Sequence, residues 1–202
     1  VMVGAHARTH GGLVAAVVAV VSAFLSIMAA YALTMFSWRA ATPIFLFMLI
    51  GLVAPYEGMG IPLYYDLKEL GLTNTYWALI LPFLAGGFGT FLMRQTIASI
   101  PDELIEAARI DGASEFRIFW MVILPLSKAT LATLAIINII WRWNDVLWPL
   151  LVTSDRKLFT VTQGLALEGH SQGTYTGVAL ATAVLAIFPV IVILLDPVPD
   201  GI

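Results

Sequence analysis

The sequence contains no cysteine, which excludes disulfide staples and thiolate metal sites. It is also poor in charge. Asp, Glu, Lys and Arg make up 11 % of its 202 residues, less than half of the roughly 25 % usual in soluble domains. It has no basic stripe, so nucleic acid is excluded as a partner. No G-x-x-x-x-G-K-[ST] loop occurs, so any ATP must be bound and hydrolysed by another chain. No H-E-x-x-H or comparable constellation marks a metalloenzyme, and His6, His10 and His170 are scattered. The chain therefore carries neither a metal-ligand set nor a cofactor motif of its own.

What it does have is hydrophobicity. Apolar residues make up 60 % of the sequence, and the mean hydropathy is +0.92. Gly11 to Trp38, Ala40 to Tyr56 and Leu70 to Met93 contain no charge at all. A helix crossing the bilayer core needs about 20 apolar residues. A charged side chain at its centre costs about 2.5–3.5 kcal/mol. Runs of this kind predict an all-α, polytopic transmembrane helical bundle. Five spans are expected, at 12–37, 42–62, 73–93, 129–152 and 176–195, forming one domain over residues 1–202.

Several features interrupt these spans. Trp38 and Arg39 form an interface anchor, an aromatic ring beside a cation. Pro55, Glu57 and Pro62 predict an irregular far end for the second span. In the third, Pro82 and Gly86-Gly87-Phe88-Gly89 leave two readings open. One is close helix packing through small residues; the other is a broken backbone lining a pathway. The fourth holds "WRWNDVLWPLL", Trp141 to Leu151. Arg142 and Asp145 lie three residues apart on one helical face and could pair. They read either as an interfacial ion pair or as intramembrane charges marking a transport path.

Between the third and fourth spans lies a polar stretch, "EAARIDGASEFRIFWMVILP", Glu106 to Pro125. Ser99-Ile100-Pro101-Asp102 reads as a capping pattern, and Asp102 and Glu103 sit where a helix dipole favours anions. Gly112 stops this helix, with Arg109 in the last turn. Ser114 can cap a second short helix carrying Phe116, Phe119, Trp120 and Ile123, and Pro125 marks the return to the membrane. Interfacial amphipathic helices favour Lys and Arg on their polar face. Here Asp102, Glu103, Glu106, Asp111 and Glu115 outnumber Arg109 and Arg117. Anionic lipid would repel that face, which points to a soluble protein partner. Charge counting across the spans, five cations against four, orients the loop only weakly towards the cytoplasm.

Glu106-Ala107-Ala108, Gly112, Val122 and Leu124-Pro125 resemble in spacing the EAA signature of ABC-importer permeases, with Val122 where the family usually has Ile. Asp111, Gly112, Ala113 and Phe119 resemble the carbohydrate-importer branch, of the maltose and glycerol-phosphate type. "IPLYYDLKELGLTNTYWALILPFLAGGFGTFLMRQ" before the loop and "WNDVLWPLLV" after it agree, so the resemblance runs from about Ala23 to Leu194.

The resemblance implies a non-catalytic permease subunit of an ATP-driven importer for a sugar, oligosaccharide or glycerol phosphate. Its site would be a cytoplasmic coupling helix fitting a cleft on an ATPase subunit. Glu106, Ala107, Ala108, Asp111, Gly112, Ala113, Leu124 and Pro125 would form it, with Glu106 as the charged contact, the two alanines allowing close approach and Gly112 making the turn. Trp143, Asn144 and Asp145 are candidate residues of the substrate path. The chain would bind no cofactor, ATP being held by partner subunits. Implied partners are a second permease subunit, a cytoplasmic ABC ATPase dimer, an extracytoplasmic sugar-binding protein and the lipid bilayer. The implied location is a bacterial or archaeal inner membrane. The family also implies one more helix ahead of the first span and a basic, glycine-containing tail, where this chain has Val1 to Gly12 and "LLDPVPDGI". The alternative is a secondary transporter or other membrane channel. A secondary transporter would need ion-coupling carboxylates at mid-membrane, and Asp145 beside Arg142 is a poor candidate.

Overall fold

The computed structural model describes residues 2–36, 38–54 and 56–168, with Val184, Ile187 and Ile191 as isolated helical positions beyond them. All regular structure among these residues is helical. The first span is one long helix, α1 (Met2–Met35). Its buried positions Ala15, Ala19, Ser22, Ala23, Ser26 and Ala30 recur every three or four residues and are small, so neighbouring backbones can approach closely. Leu13, Val20, Leu25 and Met28 stay exposed on the other side, as suits a helix with lipid around it.

The second, third and fourth predicted spans are broken. The second divides into α2 (Ala41–Val53) and α3 (Tyr56–Glu69). The break falls at the expected irregular end, α2 closing at Val53 just before Pro55, whereas Pro62 is accommodated inside α3. The third divides into α4 (Tyr76–Ile80), a 3₁₀ turn Leu81–Phe83, and α5 (Gly87–Ala98). The loop supplies α6 (Asp102–Ile110), α7 (Glu115–Ile118), a π turn Phe119–Ile123 and α8 (Leu124–Leu126). The fourth span is α9 (Lys128–Asn144) and α10 (Leu147–Val152), and α11 (Val161–Glu168) follows. Gly11–Met35 alone is long and apolar enough to cross a membrane; counting each of three bent helix pairs as one span gives up to four among the described residues. The predicted span 176–195 lies outside the described residues, apart from the three isolated positions.

The chain groups into two compact units. One takes Val20–Ala54 and Leu84–Ala135. Its core joins Ala23, Ile27 and Tyr31 of α1, Met93 and Ile97 of α5, and Leu134 of α9 to loop residues Ile105, Ile118 and Ile123. Gly89 lies so close to Ser26 that an added Cβ would overlap its Oγ, and a Cβ on Gly87 would meet the Met48 carbonyl. These two glycines therefore serve close packing, the first of the two readings left open by the sequence.

The other unit takes Val1–Ala19, Pro55–Phe83 and, among the described residues, those from Ile136 to Glu168. Trp148 is its anchor, 1 % exposed. Its Nε1 donates to the Ala78 carbonyl at 2.9 Å, and its ring meets Phe83 edge-on at 6.0 Å. Gln163, also buried, donates to Thr153 Oγ1 at 3.0 Å and to the Pro149 carbonyl at 3.2 Å. Asn74, at φ 58, accepts from the backbone N–H of Ser154 and Asp155.

Candidate functional site

The loop is built as its sequence requires, with one exception at its start. Pro101 is the N-cap of α6, and its side chain makes no capping bond. Ser99 is not that cap: its hydroxyl turns back to the Thr96 carbonyl at 2.7 Å, closing α5. Asp102 and Glu103 occupy the first turn of α6 and Arg109 the last, where each sign suits the dipole. The helix ends in a paired cap. Ala113 N–H reaches the Ala108 carbonyl and Gly112 N–H the Arg109 carbonyl, both at 3.0 Å, with Gly112 at φ +77. This is the Schellman arrangement, in which a left-handed residue, usually glycine, satisfies the last carbonyls. Ser114 then caps α7, accepting from Arg117 N–H at 3.4 Å.

Three side chains clamp the turn between α6 and α7. Tyr31 of α1 donates its hydroxyl to Glu115 Oε2 at 2.6 Å. Arg109 of α6 donates to Glu115 Oε1 at 3.0 Å. The Tyr31 hydrogen bond, and after it the one from Arg109, hold the Glu115 carboxyl below its ordinary value. The bond to Glu115 raises Arg109 in turn. Glu115 is thus spent inside the molecule and does not belong to the free acidic face expected from the sequence.

That face is narrower. Asp102, Glu103, Glu106, Ala107, Asp111 and Gly112 are exposed. A cleft of about 220 Å³ opens beside them, between Met35, Ile97, Asp102, Glu106 and Arg109. Ala108 and Ala113 lie against the core, as do Val122 and Leu124. Of the alanine pair, only Ala107 is therefore on the exposed side. Pro125 precedes the turn into the next long helix by two residues. It sits inside α8, and the chain turns by 72° at the junction with α9, where Ser127 is fully buried.

The second candidate group lies at the end of α9. Arg142 and Asp145 pair at 2.7 Å, with side chains 14 % and 9 % exposed. The Arg142 guanidinium rests 3.5 Å above the Phe83 ring. The other Asp145 oxygen accepts from Trp148 N–H at 3.2 Å, at the start of α10. Thr162 donates to the Asp145 carbonyl at 3.0 Å. Asn144 is exposed, and its amide donates to the Ile140 carbonyl at 3.0 Å; Trp143 is half-buried.

Residues 13–197 match the family described as binding-protein-dependent transport system inner membrane component. The chain belongs to that family. It is 38 % identical over 173 residues to the sn-glycerol-3-phosphate transport system permease protein UgpE of Yersinia pestis, covering 85 % of this chain and 62 % of that protein. The protein of the same name from Brucella abortus is 40 % identical over 182 residues, 89 % of this chain and 64 % of its own length. The arabinooligosaccharides transport system permease protein AraQ of Halalkalibacterium halodurans is 37 % identical over 177 residues, 88 % of this chain and 63 % of its own. This family member thus spans somewhat less than two thirds of these relatives. Its fold is that of a chain in a bacterial ABC transporter involved in the import of the acidic polysaccharide alginate, with TM-score 0.84 and 24 % identity over 95 % of this chain and 73 % of that one.

For this inner-membrane component, the sequence located the loop, the glycine turn and the Arg142–Asp145 pair. It missed Tyr31 as the anchor of the turn, because 84 residues separate Tyr31 from Glu115. It also missed Gln163 and Asn74, ordinary polar residues whose partners appear only in the fold. The π turn, closed by Leu124 N–H on the Phe119 carbonyl, has no signature in the local sequence.

Proposed function

We propose that the chain is the membrane-embedded permease subunit of an ATP-driven importer for a carbohydrate or glycerol phosphate, coupled to its ATPase through α6. Its curated relatives are named for glycerol-3-phosphate and arabinooligosaccharide transport, which supports that substrate class. One observation carries the coupling assignment: an exposed acidic helix with its own cleft is fastened to the core through Ile105, Ile118 and Ile123. A force applied to α6 reaches α1, α5 and α9 through packed side chains, which deform little.

The carboxylates of Asp102 and Glu106 suit a basic side chain of a cytoplasmic ATPase. Two such ATPases, a second permease subunit and an extracytoplasmic sugar-binding protein would complete the assembly in a bacterial or archaeal inner membrane. ATP stays on the ATPases. In the substrate path, Asn144 is the exposed member of the candidate trio, while Asp145 is committed to Arg142 and to the start of α10. The test is co-purification of the ATPase with Glu106→Lys, alongside ATP-dependent uptake in vesicles. Loss of both with normal membrane insertion is expected; full retention of ATPase and uptake would remove the coupling role.

A further inference from the structure

The loop of α6 and α7 is joined to its neighbouring helices by two covalent links, and both are interrupted. Towards α5 the chain leaves helical structure over residues 99–101. Towards α9 it passes through the π turn and α8, then bends by 72°. A third link is not covalent. It runs to α1, whose Gly11–Met35 stretch is the one described helix long and apolar enough to cross a membrane by itself.

Tyr31 makes that link. Its side chain is buried, with the ring edge-on to Phe119 at 5.3 Å and to Phe36 at 5.9 Å. Its hydroxyl lies 2.6 Å from Glu115 Oε2 and 3.2 Å from the Glu115 backbone carbonyl. One proton therefore faces two acceptors of the first residue of α7. The other carboxylate oxygen takes the Arg109 Nε–H at 3.0 Å, from the last turn of α6. So α1 is bonded to α7 directly and to α6 through one carboxylate.

These bonds add direction rather than much stability. The side chains of Arg109 and Glu115 are 45 % and 39 % exposed, and exposed pairs contribute little to folding. Attachment comes from Ile105, Ile118 and Ile123 in the core. Apolar burial is non-directional: it resists separation but lets helices slide and turn. A hydrogen bond weakens steeply when its angle opens, and one to a carboxylate is the stronger kind. Across 84 residues of sequence, it fixes where the loop stands on α1.

We propose that Tyr31 is a positioning residue for energy coupling, which through Glu115 makes α1 follow the loop when an ATPase displaces it. This rests on the coupling role proposed for α6. Without the Tyr31 hydroxyl the loop would move and α1 would lag behind.

The test uses the assembled transporter in vesicles, with partner subunits free of reactive thiols. Spin labels are placed at Val20→Cys on α1 and Arg117→Cys on α7. Both sites are exposed and lie outside the acidic face, and Val20 is about three helical turns from Tyr31. The distance between the labels is measured before and after trapping with ATP and vanadate. With Tyr31 present, one distance should persist through both states. In Tyr31→Phe, which keeps the ring, the distance should shift or broaden on trapping while the ATPase still co-purifies. Glu115→Ala should release α1 in the same way, and adding Tyr31→Phe to it should change nothing further, since both break one link. Ile27→Val trims the same core; it should lower the melting temperature and leave the distance constant. A constant distance in Tyr31→Phe would overturn the proposal. So would a further shift in the double variant, an equal shift in Ile27→Val, or loss of the ATPase from Tyr31→Phe. If no ATPase binds the unaltered chain, the coupling role of α6 itself fails and this inference falls with it.

Discussion

Glu115 shows how a single carboxylate can decide the shape of the loop. Both of its oxygens are occupied, one by a tyrosine from a distant helix and one by an arginine from the preceding one. Its folded pKa lies below the ordinary value of a glutamate. A depressed carboxylate contributes stability that is fully present above its unfolded pKa and is lost as pH falls through the folded one. The clamp should therefore hold at neutral pH and loosen in acid, as pH falls through the depressed pKa of Glu115. Because the Glu115 side chain is 39 % exposed, solvent screens its pairing with Arg109 and the effect is modest. Protection of the Gly112 and Ala113 amides against hydrogen exchange, relative to the unfolded chain at the same pH, should fall in acid, and Tyr31→Phe should shift that loss to higher pH. An acid dependence unchanged by Tyr31→Phe would contradict the clamp. Gly112 makes a separate case. No atom lies within 4 Å of a Cβ added there, so substitution is penalised by the left-handed backbone alone. Gly112→Ala and Gly112→Val should each lower stability by about 1–2 kcal/mol, and Gly112→Asn by less. Thermal unfolding in detergent gives that ranking.

Among the elements, α5 and α9 make opposite use of irregularity. The glycines at the start of α5 look like a flexible break in sequence, yet two of the three are contact points. Gly87→Ala would press a methyl group against the Met48 backbone of α2, whereas Gly86 has nothing within 4 Å. Overpacking of this kind costs about 1–3 kcal/mol, so Gly87→Ala should destabilise markedly and Gly86→Ala should not. Comparable melting of the two variants would refute the packing role. At the end of α9 the interruption is a device for joining helices. Asp145 satisfies Arg142 and the first turn of α10 at once. Removing one partner of a buried pair costs about 3–5 kcal/mol. Asp145→Ala should lower stability by at least the lower part of that range, with Asn144→Ala nearly neutral. If Asn144→Ala alters uptake kinetics without altering stability, Asn144 lies on the substrate path.

At the scale of the whole molecule, the question is how the loop meets its surroundings. A hydrogen bond to a charged group contributes about 1.5–3 kcal/mol. Loss of the Glu106 contact should therefore weaken ATPase docking by roughly one to two orders of magnitude. If α6 docks on a basic ATPase surface as proposed, Glu106→Lys should also abolish uptake, because the replaced charge would repel that surface. Orientation can be read directly, since the chain has no cysteine and a single engineered thiol is the only reactive one. Glu103→Cys should be labelled by an impermeant reagent from the cytoplasmic side and not from outside. Labelling from outside would invert the orientation and remove the basis for ATPase coupling.

The sequence by itself determined the solvent, the class and the position of the loop. Charge-free runs and scarce charge are properties of composition, and the spacing Glu106, Gly112, Leu124 is local. The glycine turn and the Arg142–Asp145 pair were legible for the same reason: their partners lie within one or two helical turns. Only the tertiary structure decided which loop carboxylate is free, since Glu115 is taken by Tyr31 from α1. It also decided that Gly87 and Gly89 pack rather than line a path, because that depends on Met48 and Ser26. The third and fourth spans break where distant residues supply substitute hydrogen bonds, as Trp148 does for the Ala78 carbonyl and Thr162 for that of Asp145. In an apolar surrounding a broken backbone survives only with such partners, and no local pattern records where they will come from.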